Sequence, residues 1–179
     1  MSTFRKWVLA IGLFIALVVD GVCALYLHQF MTYDNFAASS VILPISVMVI
    51  GLFDDTNDNE IWLALGAGIV ADIYFYGIIG VYTVFLPASC WICQKTARFL
   101  PEMLWARLIV VLLGTAVFVA YSWLIFNMVG ISTASAHVLL MSILVSLGWA
   151  VVFFFLLYWI WGNLAQDYPF LIDLNAYRV

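Results

Sequence analysis

The sequence predicts an all-α integral membrane protein: a single domain of six transmembrane helices with both termini in the cytoplasm. Three observations carry that reading. Of the 179 residues, 67% are hydrophobic and 9% are charged, against roughly 25% charged in an average soluble protein. A soluble domain of this size has too little interior to hide so much apolar surface. The apolar residues also fall in runs close to the ~20 residues that a spanning helix needs. Finally, the six basic residues, Arg5, Lys6, Lys95, Arg98, Arg107 and Arg178, all fall on one side once the spans are drawn.

Taken in order, span one is Trp7–Leu27, behind the basic pair Arg5–Lys6. It is too long for the apolar core of a cleaved signal peptide and carries no small-residue cleavage site. The polar stretch His28–Asn35 leads to span two, Phe36–Phe53, where Pro44 is expected to introduce a kink. Asp54–Glu60 (D-D-T-N-D-N-E) is the most polar segment and reads as a loop, with Asp58 or Asn59 placed to cap the next helix. Span three begins at Trp62 and runs to about residue 78, and the sequence Gly77-Ile78-Ile79-Gly80 permits a tight turn into span four, 81–97, which contains Pro87. Spans three and four should therefore form a close antiparallel hairpin.

Arg98–Arg107 is a short amphipathic link in which Trp105 suits a membrane interface. Span five is Leu108–Met128, Gly130–His137 is a small polar loop, and span six is Val138–Trp161, ending in the aromatic pair Trp159 and Trp161. Residues 162–179 form a short cytoplasmic tail. With the N-terminus inside, every Lys and Arg lies in a cytoplasmic segment, as the positive-inside rule requires. The net charge is −4, and no cluster of Lys and Arg offers a nucleic-acid surface.

Two acids fall within spans, Asp20 in span one and Asp72 in span three. An intramembrane carboxyl is costly and faces a partner helix or a wet cavity. Around Asp72 stand Gly66, Gly68, Gly77 and Gly80, small residues that let helix backbones approach. The favoured reading is a hydrogen-bonded acid that packs helices. The competing reading is an intramembrane aspartyl protease dyad, two acids sharing a proton. Presenilin-like proteases carry Gly-x-Gly-Asp, whereas here Gly68 lies four residues before Asp72. Lipoprotein signal peptidases have four spans and Asn-rich motifs beside each acid, which this chain lacks. Cys90-Trp91-Ile92-Cys93 has redox-pair spacing, but it maps near the reducing cytosolic side and reads as helix packing. His28 and His137 map to the outer edge, where a histidine titrates near neutrality; solvated interfacial histidines are the simpler reading. No catalytic, cofactor or metal constellation emerges.

These residues together resemble the rod shape-determining protein MreD family of Gram-positive bacteria. The resemblance rests on L-V-V-D-G-V at Leu17–Val22, the Pro44 span, the six-span layout with short loops and, most specifically, G-A-G-I-V-A-D-I-Y-F-Y-G-I-I-G-V-Y-T at Gly66–Thr83. It implies a non-enzymatic component of the cell-elongation machinery in the bacterial cytoplasmic membrane. Its partners would be an MreC-like bitopic membrane protein, the peptidoglycan synthases of the rod system and, indirectly, MreB filaments. Asp72, Gly68, Gly77, Gly80 and Asp20 would then serve helix packing and partner binding. The family is similar in fold to the substrate-binding subunits of energy-coupling-factor transporters, so a small-molecule (vitamin-type) uptake subunit is the alternative. That alternative needs a polar cavity opening outward, and the outer connectors supply few polar residues for one.

Overall fold

The computed structural model describes residues 2–26, 32–33, 36–37, 41–53, 59–100, 103–130 and 135–167. His28, the acidic loop 54–58 and the tail beyond Asp167 lie outside the described residues. The described residues include six helices: α1 (Ser2–Tyr26), α2 (Ile42–Phe53), α3 (Asn59–Phe75), α4 (Tyr82–Ala97), α5 (Leu104–Val129) and α6 (Ala136–Asp167). A small antiparallel pairing between α1 and α2 joins Thr32 to Ala37 and Tyr33 to Phe36.

The six helices are not equivalent. Within α1, α5 and α6, the segments Trp7–Tyr26, Leu104–Val129 and Ala136–Leu164 are long and apolar enough to cross a bilayer. The other three are shorter, with 12 residues in α2, 17 in α3 and 16 in α4. At 1.5 Å per residue α2 extends only about 18 Å, well short of a ~30 Å hydrocarbon core.

Helix α2 begins six residues later than the sequence predicts, at Ile42 rather than Phe36. Pro44 accounts for part of the difference. A proline is best tolerated in a helix's first turn, where its missing N–H would have no partner anyway. Pro44 therefore opens α2 instead of kinking a longer helix.

The packing explains why so short a helix persists. Every residue of α2 from Ile42 to Leu52 is buried, the signature of a helix enclosed on all sides. It packs against α1, α4, α5 and α6. It approaches α4 closely at Gly51, where a Cβ would come within 2.9 Å of the Cys90 carbonyl oxygen and 3.3 Å of the Cys93 Cβ. The C-x-x-C pair is thus buried against a glycine of the central helix.

Successive helices run in opposite directions. At one end, the Gln94 amide of α4 donates to Glu60 at the start of α3 (3.4 Å). At the same end of the bundle Arg107, in the first turn of α5, donates to the Tyr158 hydroxyl of α6 (3.3 Å) and lies 4.8 Å from the Phe53 ring centroid at the end of α2. At the other end the Tyr121 hydroxyl of α5 donates to the Gly80 carbonyl in the α3–α4 turn (2.8 Å), and Tyr76 packs edge-on to Phe126 at 4.9 Å. Both buried aspartates lie at this second end.

Candidate functional site: a helix-capping aspartate centre

The centre is built on the break between α3 and α4. Helix α3 ends at Phe75, so Asp72 occupies its last turn rather than the middle of a span. The helix stops because Gly77 adopts a left-handed backbone, φ +66°, a conformation that costs glycine little and other residues more. The chain then folds back, and the Tyr76 and Gly77 N–H groups both donate to the Asp72 main-chain carbonyl, at 3.1 and 2.8 Å. Gly80, at φ +137°, completes the turn.

Helix α4 then begins with a problem. The first N–H groups of any helix have no intrahelical acceptor. The residue at the N-cap position is Val81, whose side chain accepts nothing. Asp72 supplies the acceptor from across the hairpin. Its Oδ1 receives the Tyr82 N–H (2.7 Å). Its Oδ2 receives the Gly80 N–H (2.7 Å), the Thr83 N–H (3.0 Å) and the Thr83 hydroxyl (2.7 Å). Three of these partners are backbone N–H groups, which only donate, so Asp72 is used as an acceptor at every contact and fills the roughly four lone-pair sites of a carboxylate. A negative group at a helix N-terminus also meets the positive end of the helix dipole.

Close approach makes this geometry possible. Gly68 sits one turn before Asp72 on the same face of α3. A Cβ on it would lie 2.7 Å from the Tyr82 carbonyl oxygen and 2.8 Å from the Thr83 Cα. Gly66, by contrast, faces open space, with nothing within 4 Å of a Cβ placed there. The glycines near Asp72 therefore divide: Gly68 admits α4, Gly77 and Gly80 make the turn, and Gly66 does neither.

Asp20 repeats the arrangement in the first hairpin. Its Oδ1 accepts the Ile42 N–H at the start of α2 (2.8 Å), and both groups are buried. The residue preceding α2 is again a valine, Val41. Gly21 lets α1 approach the end of α3, because a Cβ there would meet the Tyr74 ring at 2.9 Å. Neither carboxylate has exposed surface. Around them stand aromatic rings: Tyr82 lies 5.7 Å from Phe75, 5.8 Å from Tyr76 and 5.1 Å from Phe118, centroid to centroid. The centre holds two acids that start two helices under an aromatic cover. Among the described residues, no three His, Cys, Asp or Glu side chains come together.

The sequence reading singled out both acids and missed their donors, Ile42, Tyr82 and Thr83, as well as Tyr121, which ties α5 to the turn. The sequence carries one partial signal: Val-Ile-Leu-Pro-Ile-Ser at 41–46 and Val-Phe-Leu-Pro-Ala-Ser at 84–89 are two copies of one pattern, the first holding Ile42 at the start of α2 and the second following Tyr82 and Thr83 in the first turns of α4. No family model, curated protein or solved structure matches the chain.

Proposed function

We propose that this chain is a multi-pass scaffold of the bacterial cytoplasmic membrane, of the MreD type. In this reading it binds an MreC-like bitopic protein and through it takes part in cell elongation. The observation that carries the proposal is the use made of Asp72. The resemblance rests chiefly on Gly66–Thr83, and within that stretch the one charged side chain accepts four hydrogen bonds from its own hairpin. The motif builds a rigid corner, which suits a recognition element better than a reaction centre. The grouping of Lys95, Arg98 and Arg107 around one connection supports an orientation with that connection and the N-terminus inside, since basic residues favour the cytoplasmic face; α2, too short to cross alone, would be carried inside the bundle by its neighbours.

The apolar exterior fits the same reading. Large side chains such as Trp7, Phe14, Leu113, Leu144 and Trp159 are each more than half exposed, as expected where lipid or another membrane helix is the neighbour. With little mass outside the helices, recognition would fall to helix faces and short connections, where small residues and polar groups drive association in lipid.

The test is co-expression of the tagged chain with the MreC-like protein, followed by purification in mild detergent. The wild-type chain should retain the partner. Asp72→Asn should keep most of it, and Asp72→Leu should lose it. Failure of the wild-type chain to retain the partner, or full retention by both variants together with normal cell shape, would overturn the assignment.

A further inference from the structure

Helices α4 and α5 are neighbours in sequence, but their backbones come close at few places, and the rings of Tyr82 and Phe85 meet Phe118 at one end. Between them runs a groove of about 480 Å³, open along one side, with Met48 of α2 at its floor. Its walls include Ala88 and Thr96 on α4 and Gly114 on α5. Its rim carries Val84, Ile92, Leu113 and Val117, each more than half exposed. The groove is thus an apolar channel whose open side faces outward from the bundle.

One end of the channel is basic. Thr96 is the last residue of α4 along the wall, and Lys95 and Arg98 lie beside it, both exposed. The Lys95 ammonium sits 6.0 Å from the Trp91 ring centroid. Arg107 follows in the first turn of α5, turned toward Tyr158 and Phe53. Residues 95–107 hold three of the chain's six basic residues against one acid, Glu102.

We infer that the α4–α5 groove is a binding site for an anionic glycerophospholipid, with one acyl chain in the channel and the phosphate at Lys95 and Arg98. The inference rests on the membrane orientation given above, not on the partner. On that orientation the basic end lies at the inner leaflet, where clustered basic residues between spanning helices attract anionic headgroups. Charge also argues against a bitopic helix as occupant. The cytoplasmic flank of such a helix is itself basic by the positive-inside rule, and it would meet Lys95 and Arg98 with repulsion.

The experiment uses the purified full-length chain in nanodiscs of mixed phosphatidylglycerol and phosphatidylcholine, released into native mass spectrometry to count retained lipids. The wild-type chain should retain phosphatidylglycerol over phosphatidylcholine by about tenfold or more. Lys95→Gln with Arg98→Gln should erase that preference without lowering total lipid retained. Ala88→Phe, which fills the channel, should lower retention of both lipids; if that variant fails to fold, Val117→Trp fills the opposite wall. Equal retention of the two lipids by wild type, or an undiminished preference in the double variant, would overturn the proposal. So would loss of the MreC-like partner from Ala88→Phe at unchanged lipid retention, which would assign the groove to a protein helix. The preference is read without any partner present, so it stands or falls separately from the scaffold assignment. Labelling of Lys95 in intact cells by a membrane-impermeant amine reagent would instead place the basic end outside and refute the orientation.

Discussion

The two aspartate caps solve one problem in two settings. In the α3–α4 hairpin the donors lie 8 to 11 residues beyond Asp72, across a turn made by two glycines with positive φ. In the α1–α2 hairpin the donor lies 22 residues beyond Asp20, across the longer connection that contains the small strand pair. The first cap is local: the turn itself delivers the N–H groups, and Gly68 lets the helices close. The second cap depends on a longer chain segment returning to the right place, and it anchors the helix that every neighbour packs around. The difference teaches that one acid sets a corner while the other seats a core.

That contrast orders the expected effects of substitution, all measurable as thermal stability in detergent. Asp72→Leu should be the most damaging. It leaves the Gly80, Tyr82 and Thr83 N–H groups without their acceptor, at about 1–3 kcal/mol for each buried donor. Asp72→Asn should cost less, because an amide oxygen turned to the Oδ2 position keeps the Gly80 and Thr83 bonds and only Tyr82 then faces a second donor. A stability equal to wild type for the leucine variant would break the capping account.

Asp20→Leu should rank next, at about 1–3 kcal/mol for the Ile42 N–H. Its loss should appear as loosened packing around α2, whereas Asp72→Leu should loosen the hairpin first. Gly68→Ala should follow at about 1–3 kcal/mol, the usual cost of an added methyl that presses on backbone, since its Cβ would meet Tyr82 and Thr83 main-chain atoms. Gly66→Ala, two residues away in the same helix, should be neutral or stabilising by up to about 1 kcal/mol, because its Cβ would meet nothing. Equal losses for the two glycine variants would show that α3 and α4 do not approach as described.

The long apolar runs made α1, α5 and α6 legible, because composition and length alone decide whether a helix is long and apolar enough to cross lipid. The α3–α4 turn was legible too, since Gly77 and Gly80 mark it. The bounds of α2 were not. Phe36–Phe53 is apolar throughout, and periodicity cannot distinguish a full span from a strand pair followed by a short buried helix. The partners of Asp72 and Asp20 were also hidden. A search for side-chain partners could reach only the Thr83 hydroxyl, because the other donors described in the two hairpins are main-chain N–H groups, and every residue type but proline carries one. The repeated Leu-Pro-x-Ser pattern, at Leu43–Ser46 and Leu86–Ser89, falls in the first turns of α2 and α4 but does not mark the donors, which stand one residue before it in one copy and three to six before it in the other.

The central claim is that Asp72 starts helix α4. Residue-resolved amide hydrogen exchange in lipid nanodiscs tests it most directly, comparing the wild-type chain with Asp72→Asn and Asp72→Leu. The account predicts strong protection of the Tyr82 and Thr83 amides in wild type and exchange about 10²-fold faster in Asp72→Leu. Asp72→Asn should fall between them, and Val111 and Phe118 in α5 should remain unchanged in all three. Identical exchange at Tyr82 and Thr83 in the wild-type and leucine chains would contradict it.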